Sequence, residues 1–217
     1  MKKKEKIKAI VFDVGGVLAL GNNSRWKKGK ICVQAEGVHA DVARKLGISL
    51  DQYLDSIDTN YALAIEGKTP KNKVMNILSK NLKVSKKKLT NLYIDSYKRN
   101  FALNKQLFKQ AFELKKKGYK IGVLSDQWFL SQKALMPKKL YSKFDVVLIS
   151  CEQKMRKPNP AFYKLLIKKL KTRPSEILFI DNQIWNIKPA KKLYLKTIVF
   201  KSNYLLFKNK LWGRLFL

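Results

Sequence analysis

Three apolar runs in this 217-residue chain each end in an aspartate: KAIVFD at Asp13, KIGVLSD at Asp126 and ILFID at Asp181. The placement is pointed in a chain with only 15 acidic residues. Short β-branched and aromatic runs of this length read as buried strands of a parallel sheet. Ligands on such sheets bind in the crevice beyond the carboxyl ends of the strands. The carboxylates are therefore expected to meet at one site.

Strand candidates cover residues 7–12, 120–124, 144–149, 177–180 and 195–200, and helix-length amphipathic segments lie between the later ones. That alternation is the βαβ rhythm of an α/β fold with a doubly wound parallel sheet. The segment 104–117 places Leu107, Phe108, Ala111, Phe112 and Leu114 on one helical face and stops at Gly118, while Pro160 opens another helix through Phe162, Leu165, Leu166 and Leu170.

The gap between the first two strands is far too long for a simple crossover. Its signals are helical: Ser49 with Gln52 as a capping box, Pro70 after Thr69 as a second start, Ser85 as a third. Leu54, Ile57, Tyr61, Val74, Leu78, Leu89, Tyr93 and Tyr97 supply apolar faces for a small bundle. The expected division is a core of residues 1–18 and 103–217 with a helical cap, 19–102, inserted after the first strand and placed as a lid over the strand ends.

The formal charge of +32 would ordinarily suggest a polyanionic partner. Here 41 of the basic residues are Lys and 6 are Arg, and the lysines are spread along the chain. Sequence-specific nucleic-acid readers lean on Arg for bidentate contacts. A dedicated nucleic-acid role is not expected, beyond loose attraction that salt would abolish. A positive field would also draw in small phosphorylated molecules. Cys32 and Cys151 show no metal or redox spacing, which fits a reduced, cytoplasmic protein. The apolar stretch after MKKKEKIK is too short for a signal peptide or membrane span, and the tail LLFKNKLWGRLFL is expected to pack on the sheet or fray rather than lie on a membrane. Nothing in the sequence sets an oligomeric state.

Four segments, VFDVGGVL with Asp13, VLSDQ with Ser125, RKPNP with Lys157 and FIDNQIWN with Asp181, occur in an order and at separations that resemble the four motifs of the haloacid dehalogenase superfamily. The resemblance covers nearly the whole chain. It implies a Rossmann-like core, a helical cap of the kind found in many small-molecule phosphatases and in 2-haloacid dehalogenases, and Mg²⁺-dependent hydrolysis of a small phosphorylated metabolite. By the same resemblance Asp13 is the nucleophile, with Asp13, the Gly15 carbonyl and Asp181 as metal ligands. Ser125 and Lys157 then bind and neutralise the phosphoryl group, with Asp126 and Gly16 beside it. Asn182 and Asn186 are weaker candidates, since many relatives carry a second aspartate where Asn182 stands.

The chemistry needs these residue types. A carboxylate that displaces a leaving group from phosphorus divides hydrolysis into two easier transfers. The negative charge that gathers there calls for a hard cation with oxygen ligands and for a nearby ammonium. One position departs from the pattern: phosphatases of the superfamily generally carry a second aspartate, a proton donor and acceptor, where this chain has Gly15. Three readings follow: a phosphatase for esters that need little leaving-group protonation or that borrow an acid from the cap, with Glu36 and His39 as candidates; a dehalogenase; or a binding protein that kept the fold. A lone His near a helix start otherwise reads as a polar surface residue, and a strand-end aspartate such as Asp126 reads equally well as a helix N-cap.

Overall fold

The computed structural model describes residues 6–21 and 34–216. Cys32 lies outside the described residues, as does the side chain of Glu36. In chain order the elements begin with β1 (Ala9–Phe12) and β2 (Ala19–Gly21), then four helices, α1 (Gln34–Leu46), α2 (Leu50–Ile65), α3 (Lys71–Asn81) and α4 (Lys86–Asn100). The chain returns through β3 (Phe101–Leu103), α5 (Lys105–Lys116), β4 (Lys120–Ser125), α6 (Phe129–Leu135), α7 (Lys138–Tyr141) and β5 (Val146–Ile149). It ends with α8 (Ser150–Gln153), α9 (Pro160–Leu170), β6 (Ile177–Asp181), α10 (Ile184–Lys192), β7 (Lys196–Val199), α11 (Asn203–Phe207) and α12 (Lys210–Gly213).

The main sheet is parallel throughout, in the order β5-β4-β1-β6-β7. Its residues alternate between two apolar layers, as a period of two requires. Ile10, Phe12, Ile121, Val123, Leu178 and Ile180 face one layer, shared with α5 and the tail. Ala9, Val11, Leu124, Leu148, Ile177 and Phe179 face the other, filled by α9 and α10. The chain leaves β1 toward β4 and β5, then crosses back to β6 and β7 on the other side. The strand order therefore reverses at β1, and that is where an open α/β sheet leaves a crevice.

The insertion signals hold with small shifts. Ser49 and Gln52 form the reciprocal capping box on α2, and Ser85 caps α4. The first helix, α1, was not foreseen. On α2 Ile57 is buried as expected, but Tyr53, fully buried, takes the inward place expected of Leu54, which is exposed. The tail packs as expected: Trp212 is buried edge-on to Phe12. Among the described residues no helix is long and apolar enough to cross a membrane.

A short second sheet pairs β2 antiparallel with β3, so the chain enters and leaves the helical segment side by side. Asn104 fastens this junction. Its amide donates to Leu18 O, its Nδ2 donates to Val17 O at 2.9 Å, and its Oδ1 caps α5 by accepting from Leu107 N.

Candidate active site

Register fixes the carboxylates. Phe12 is level with Val123 on one side and Ile180 on the other, so the next residue of β1, Asp13, emerges level with Asp181. The Asp13 amide extends the ladder by donating to Ile180 O at 2.9 Å. Beyond it the chain turns sharply: Ala19 N donates to Val14 O at 2.7 Å, and Gly16 N donates to Ala19 O at 2.8 Å. Gly16 has φ +82°, a left-handed conformation that favours glycine. Its amide is thus used inside the turn, and what Gly16 gives the site is the shape of that turn.

Lys157 joins the two carboxylates. Its side chain is 1% exposed, with Nζ 3.0 Å from Asp13 Oδ1 and 2.7 Å from Asp181 Oδ2. Lys157 is therefore not a solvated surface lysine. Asp126 places it: Asp126 Oδ1 accepts from Lys157 N at 3.0 Å. Asp126 is not a helix cap, because α6 begins at Phe129 with Trp128 at its N-cap and no side-chain cap bond. Its carboxylate holds the loop that carries the lysine.

One ammonium between two carboxylates leaves this buried trio with an excess negative charge. For Asp13, burial is the largest influence and raises the pKa; Lys157 opposes it, Asp181 adds to it, and the result is a carboxyl pushed up to about 6. For Lys157, burial favours loss of the proton, but Asp13, Asp181 and Asp126 outweigh it and hold the ammonium charged, above the ordinary lysine range. The two directions describe one arrangement. The ammonium stays charged and neutralises one carboxylate, and the other bears an uncompensated burial cost. Burial likewise raises Asp126, against the pull of Lys157.

Around the trio the remaining polar groups are ordered. Ser125, fully buried at the end of β4, accepts from Gln127 Nε2 at 3.1 Å, and its hydroxyl helps to lower the Asp13 pKa against burial. Gln127 is itself held by its amide, which donates to Ser150 Oγ at 3.0 Å. Asp181 Oδ1 accepts from Gln183 N at 2.7 Å, and Asn186 Nδ2 reaches both Asp181 oxygens, at 3.3 and 3.1 Å. Gln127 was not singled out from the sequence, although it stands in the VLSDQ segment two residues beyond Ser125.

Two buried oxygens, Asn182 Oδ1 and Asn186 Oδ1, have no hydrogen-bond partner. Buried oxygens are rarely left so, and a bound ion or water is their common partner. With the carboxylates of Asp13 and Asp181 beside them, the local donor set consists of oxygen alone and carries excess negative charge. That is the chemistry of a hard divalent cation such as Mg²⁺, which takes one or two carboxylates from a protein. Gly15 lies within the turn, and a Cβ built on it would meet nothing within 4 Å. No proton-transferring side chain stands there.

His39 does not reach this site as an acid. It is buried in the helical segment, with Nδ1 3.0 Å from Tyr53 Oη, and burial lowers its pKa to about 4. The surface reading of this residue is corrected as well. The link from the helices to the site runs instead through Trp128, whose Nε1 donates to Tyr97 Oη at 2.9 Å and whose ring meets Tyr61 edge-on at 5.2 Å.

Comparison with known proteins agrees with the fold. The chain is 28% identical over 226 residues to bifunctional epoxide hydrolase 2 of Sus scrofa, an alignment that takes in 90% of this chain and 37% of that protein. It therefore spans little more than a third of that relative's length. A shorter match, 29% identical over 99 residues, links it to the glyceraldehyde 3-phosphate phosphatase of Pyrococcus furiosus, over 43% of this chain and 40% of that enzyme. Among solved structures, a HAD family enzyme of Bacteroides thetaiotaomicron, in complex with magnesium and inorganic phosphate, shares the fold with a TM-score of 0.71 at 20% identity, covering 91% of this chain and 96% of that one. The haloacid dehalogenase-like hydrolase family profile matches residues 7–193, spanning the strands that carry Asp13, Ser125 and Asp181 and the loop that carries Lys157, and the chain belongs to that family of hydrolases.

Proposed function

We propose that the protein is a Mg²⁺-dependent phosphatase that acts on a small phosphorylated metabolite through an aspartyl-phosphate. The observation that carries this reading is the convergence of Asp13, Asp181 and Lys157 within 3.0 Å of a shared ammonium at the carboxyl end of the sheet. In the first step a carboxylate oxygen of Asp13 attacks phosphorus, the bond from phosphorus to the ester oxygen breaks, and the alcohol leaves, taking a proton from water. In the second step water attacks the same phosphorus, the bond to Asp13 breaks, and inorganic phosphate departs with the carboxylate restored. Lys157 and the Ser125 hydroxyl neutralise and orient the phosphoryl oxygens. Asp126 contributes by fixing Lys157, and Gly16 by shaping the turn beside the phosphate.

Asp13, Asp181 and the Gly15 carbonyl are the residues we assign to Mg²⁺, with Asn182 Oδ1 as a neutral addition. The ion would supply Lewis-acid stabilisation of the charge that builds on the transferring group. Residues 19–102 form the lid in this reading and 1–18 with 103–217 the catalytic core. A cytoplasmic setting belongs to the same proposal, because small phosphate esters are charged and stay on the side of the membrane where they are made.

Gly15 is the observation that favours a second reading. Dehalogenases of the superfamily also lack the second carboxylate and attack carbon rather than phosphorus. A panel of phosphate esters, including acyl and anomeric sugar phosphates, assayed with and without Mg²⁺, separates the two. Metal-dependent phosphate release is expected. Metal-independent chloride release from 2-chloropropionate, without phosphate release, would sink the phosphatase reading.

A further inference from the structure

The chain contains only 6 arginines beside its 41 lysines, and among the described residues three of them close on carboxylates. Arg44 and Arg99 both close on Asp41 at 2.6 Å, and Arg173 closes on Glu176 at 2.7 Å. Arg156 is different. It directly precedes Lys157, its side chain is 39% exposed, and its nearest acid, Asp126 Oδ2, lies 3.6 Å from Nε. That is too long for a hydrogen bond. Among the described residues no hydrogen bond uses its guanidinium.

The surroundings define what Arg156 can meet. Lys157 is engaged by Asp13 and Asp181, so its remaining N–H serves the reacting phosphoryl group rather than a second anion. Asp126 holds both residues, with Oδ1 on the Lys157 amide and Oδ2 toward Arg156. From the helical side comes Tyr61, whose pKa burial raises, against the Tyr97 hydroxyl and the Arg156 charge. Tyr61 is wedged edge-on between Trp128 and His39, at 5.2 and 4.8 Å between ring centroids, and its hydroxyl meets that of Tyr97 at 3.3 Å. These rings form a packed aromatic wall on the helical side.

We propose that Arg156 is a specificity residue that reads a second oxyanion, so that the substrates are small phosphate esters with a carboxylate or a second phosphate a few atoms from the scissile phosphoryl group. Guanidinium suits this task better than ammonium, because its fork matches both oxyanions bidentately. The assignment rests on the phosphatase reading and names the substrate class for the same site. A bound second anion replaces the loose contact with Asp126, which stays anchored through the Lys157 amide. The reacting phosphoryl group occupies the Asp13 end.

The test compares phospholactate and ethylene glycol bisphosphate with ethyl phosphate, in the wild type, Arg156→Gln and Arg156→Lys. A charge-assisted contact predicts kcat/KM at least about tenfold higher for the two-anion esters, mostly through KM, with that ratio falling to about one in Arg156→Gln. Arg156→Lys, which keeps the charge but loses the fork, should recover part of the preference and serves if Arg156→Gln folds poorly. Preference for phospholactate alone assigns the anion as a carboxylate; preference for the bisphosphate alone assigns it as a phosphate. A wild-type ratio near one, or a ratio that survives Arg156→Gln, overturns the assignment while leaving the phosphatase reading intact. Absence of turnover on every ester overturns both.

Discussion

Two buried polar clusters, joined through Trp128, handle burial in opposite ways. In the helical segment His39, Tyr53 and Tyr93 satisfy one another through ring nitrogen and hydroxyls, and Tyr61 and Tyr97 do the same beside them. Burial lowers the pKa of His39 and raises those of Tyr53, Tyr93 and Tyr97, so every member is held in its neutral form. At the strand ends Asp13, Asp181 and Lys157 are as deeply buried, yet the ammonium is held charged, carboxylates outnumber it, and nearby oxygens lack partners. A satisfied neutral network gives a rigid core at little cost. An unbalanced ionic one is costly, and such imbalance gathers where chemistry uses it.

The contrast is broken most severely at the nucleophile. Asp13→Asn should reduce turnover by at least about 10³-fold. Thermal unfolding at pH 8 should show that variant no less stable than the wild type, because the substitution removes the uncompensated charge. Lys157→Met should have the opposite balance of effects. It leaves two buried carboxylates without their cation and should cost about 3–5 kcal/mol in urea unfolding at neutral pH, less in acid where Asp13 takes up a proton.

Gly15→Asp sharpens the comparison by completing the site. Its added Cβ meets nothing within 4 Å, so the variant should fold normally. On alkyl phosphates kcat should rise by about 10²-fold, the lower end of what a placed general acid supplies, and acyl phosphates should gain little.

The Asp13 carboxyl, raised to about 6, sets the pH behaviour. Both nucleophilic attack and metal binding need it ionised, so kcat/KM should fall about tenfold per pH unit below that value. Stability moves the other way. The folded state binds the proton more tightly than the unfolded state, so the Asp13 contribution favours folding below pH 6 and is lost as pH rises through it. Denaturant titrations without metal from pH 4 to pH 7 measure that slope, once the same titration of Asp13→Asn is subtracted. The smallest effect is expected in the neutral cluster: Tyr93→Phe leaves Tyr53 still bonded to His39 and should cost about 1 kcal/mol with activity unchanged.

How far the sequence reached follows the same division. The strands were legible because apolar runs bounded by aspartate report a buried sheet locally, and Asp13, Asp181 and Lys157 were legible because each sits at a fixed offset from a strand or a Pro-containing segment. What depended on distant contacts was not. β2 finds its partner β3 only after the four intervening helices, and α1, with the polar sequence QAEGVHADVARKL, shows no long apolar stripe. Asp126 and His39 were misread for one reason: a side chain's partner, here the Lys157 amide and the Tyr53 hydroxyl, lies 31 and 14 residues away. Arg156 and Gln127 stood within quoted segments, but nothing local told which of their neighbours they would face.

The central claim is that Asp13 becomes covalently phosphorylated. Mass spectrometry of protein quenched in acid during turnover tests it most directly. With Mg²⁺ and a hydrolysed ester, the peptide that contains Asp13 should carry the added mass of one phosphoryl group, and the same peptide from Asp13→Asn should not. Continued phosphate release with no such adduct, or an adduct on another residue, would contradict the account.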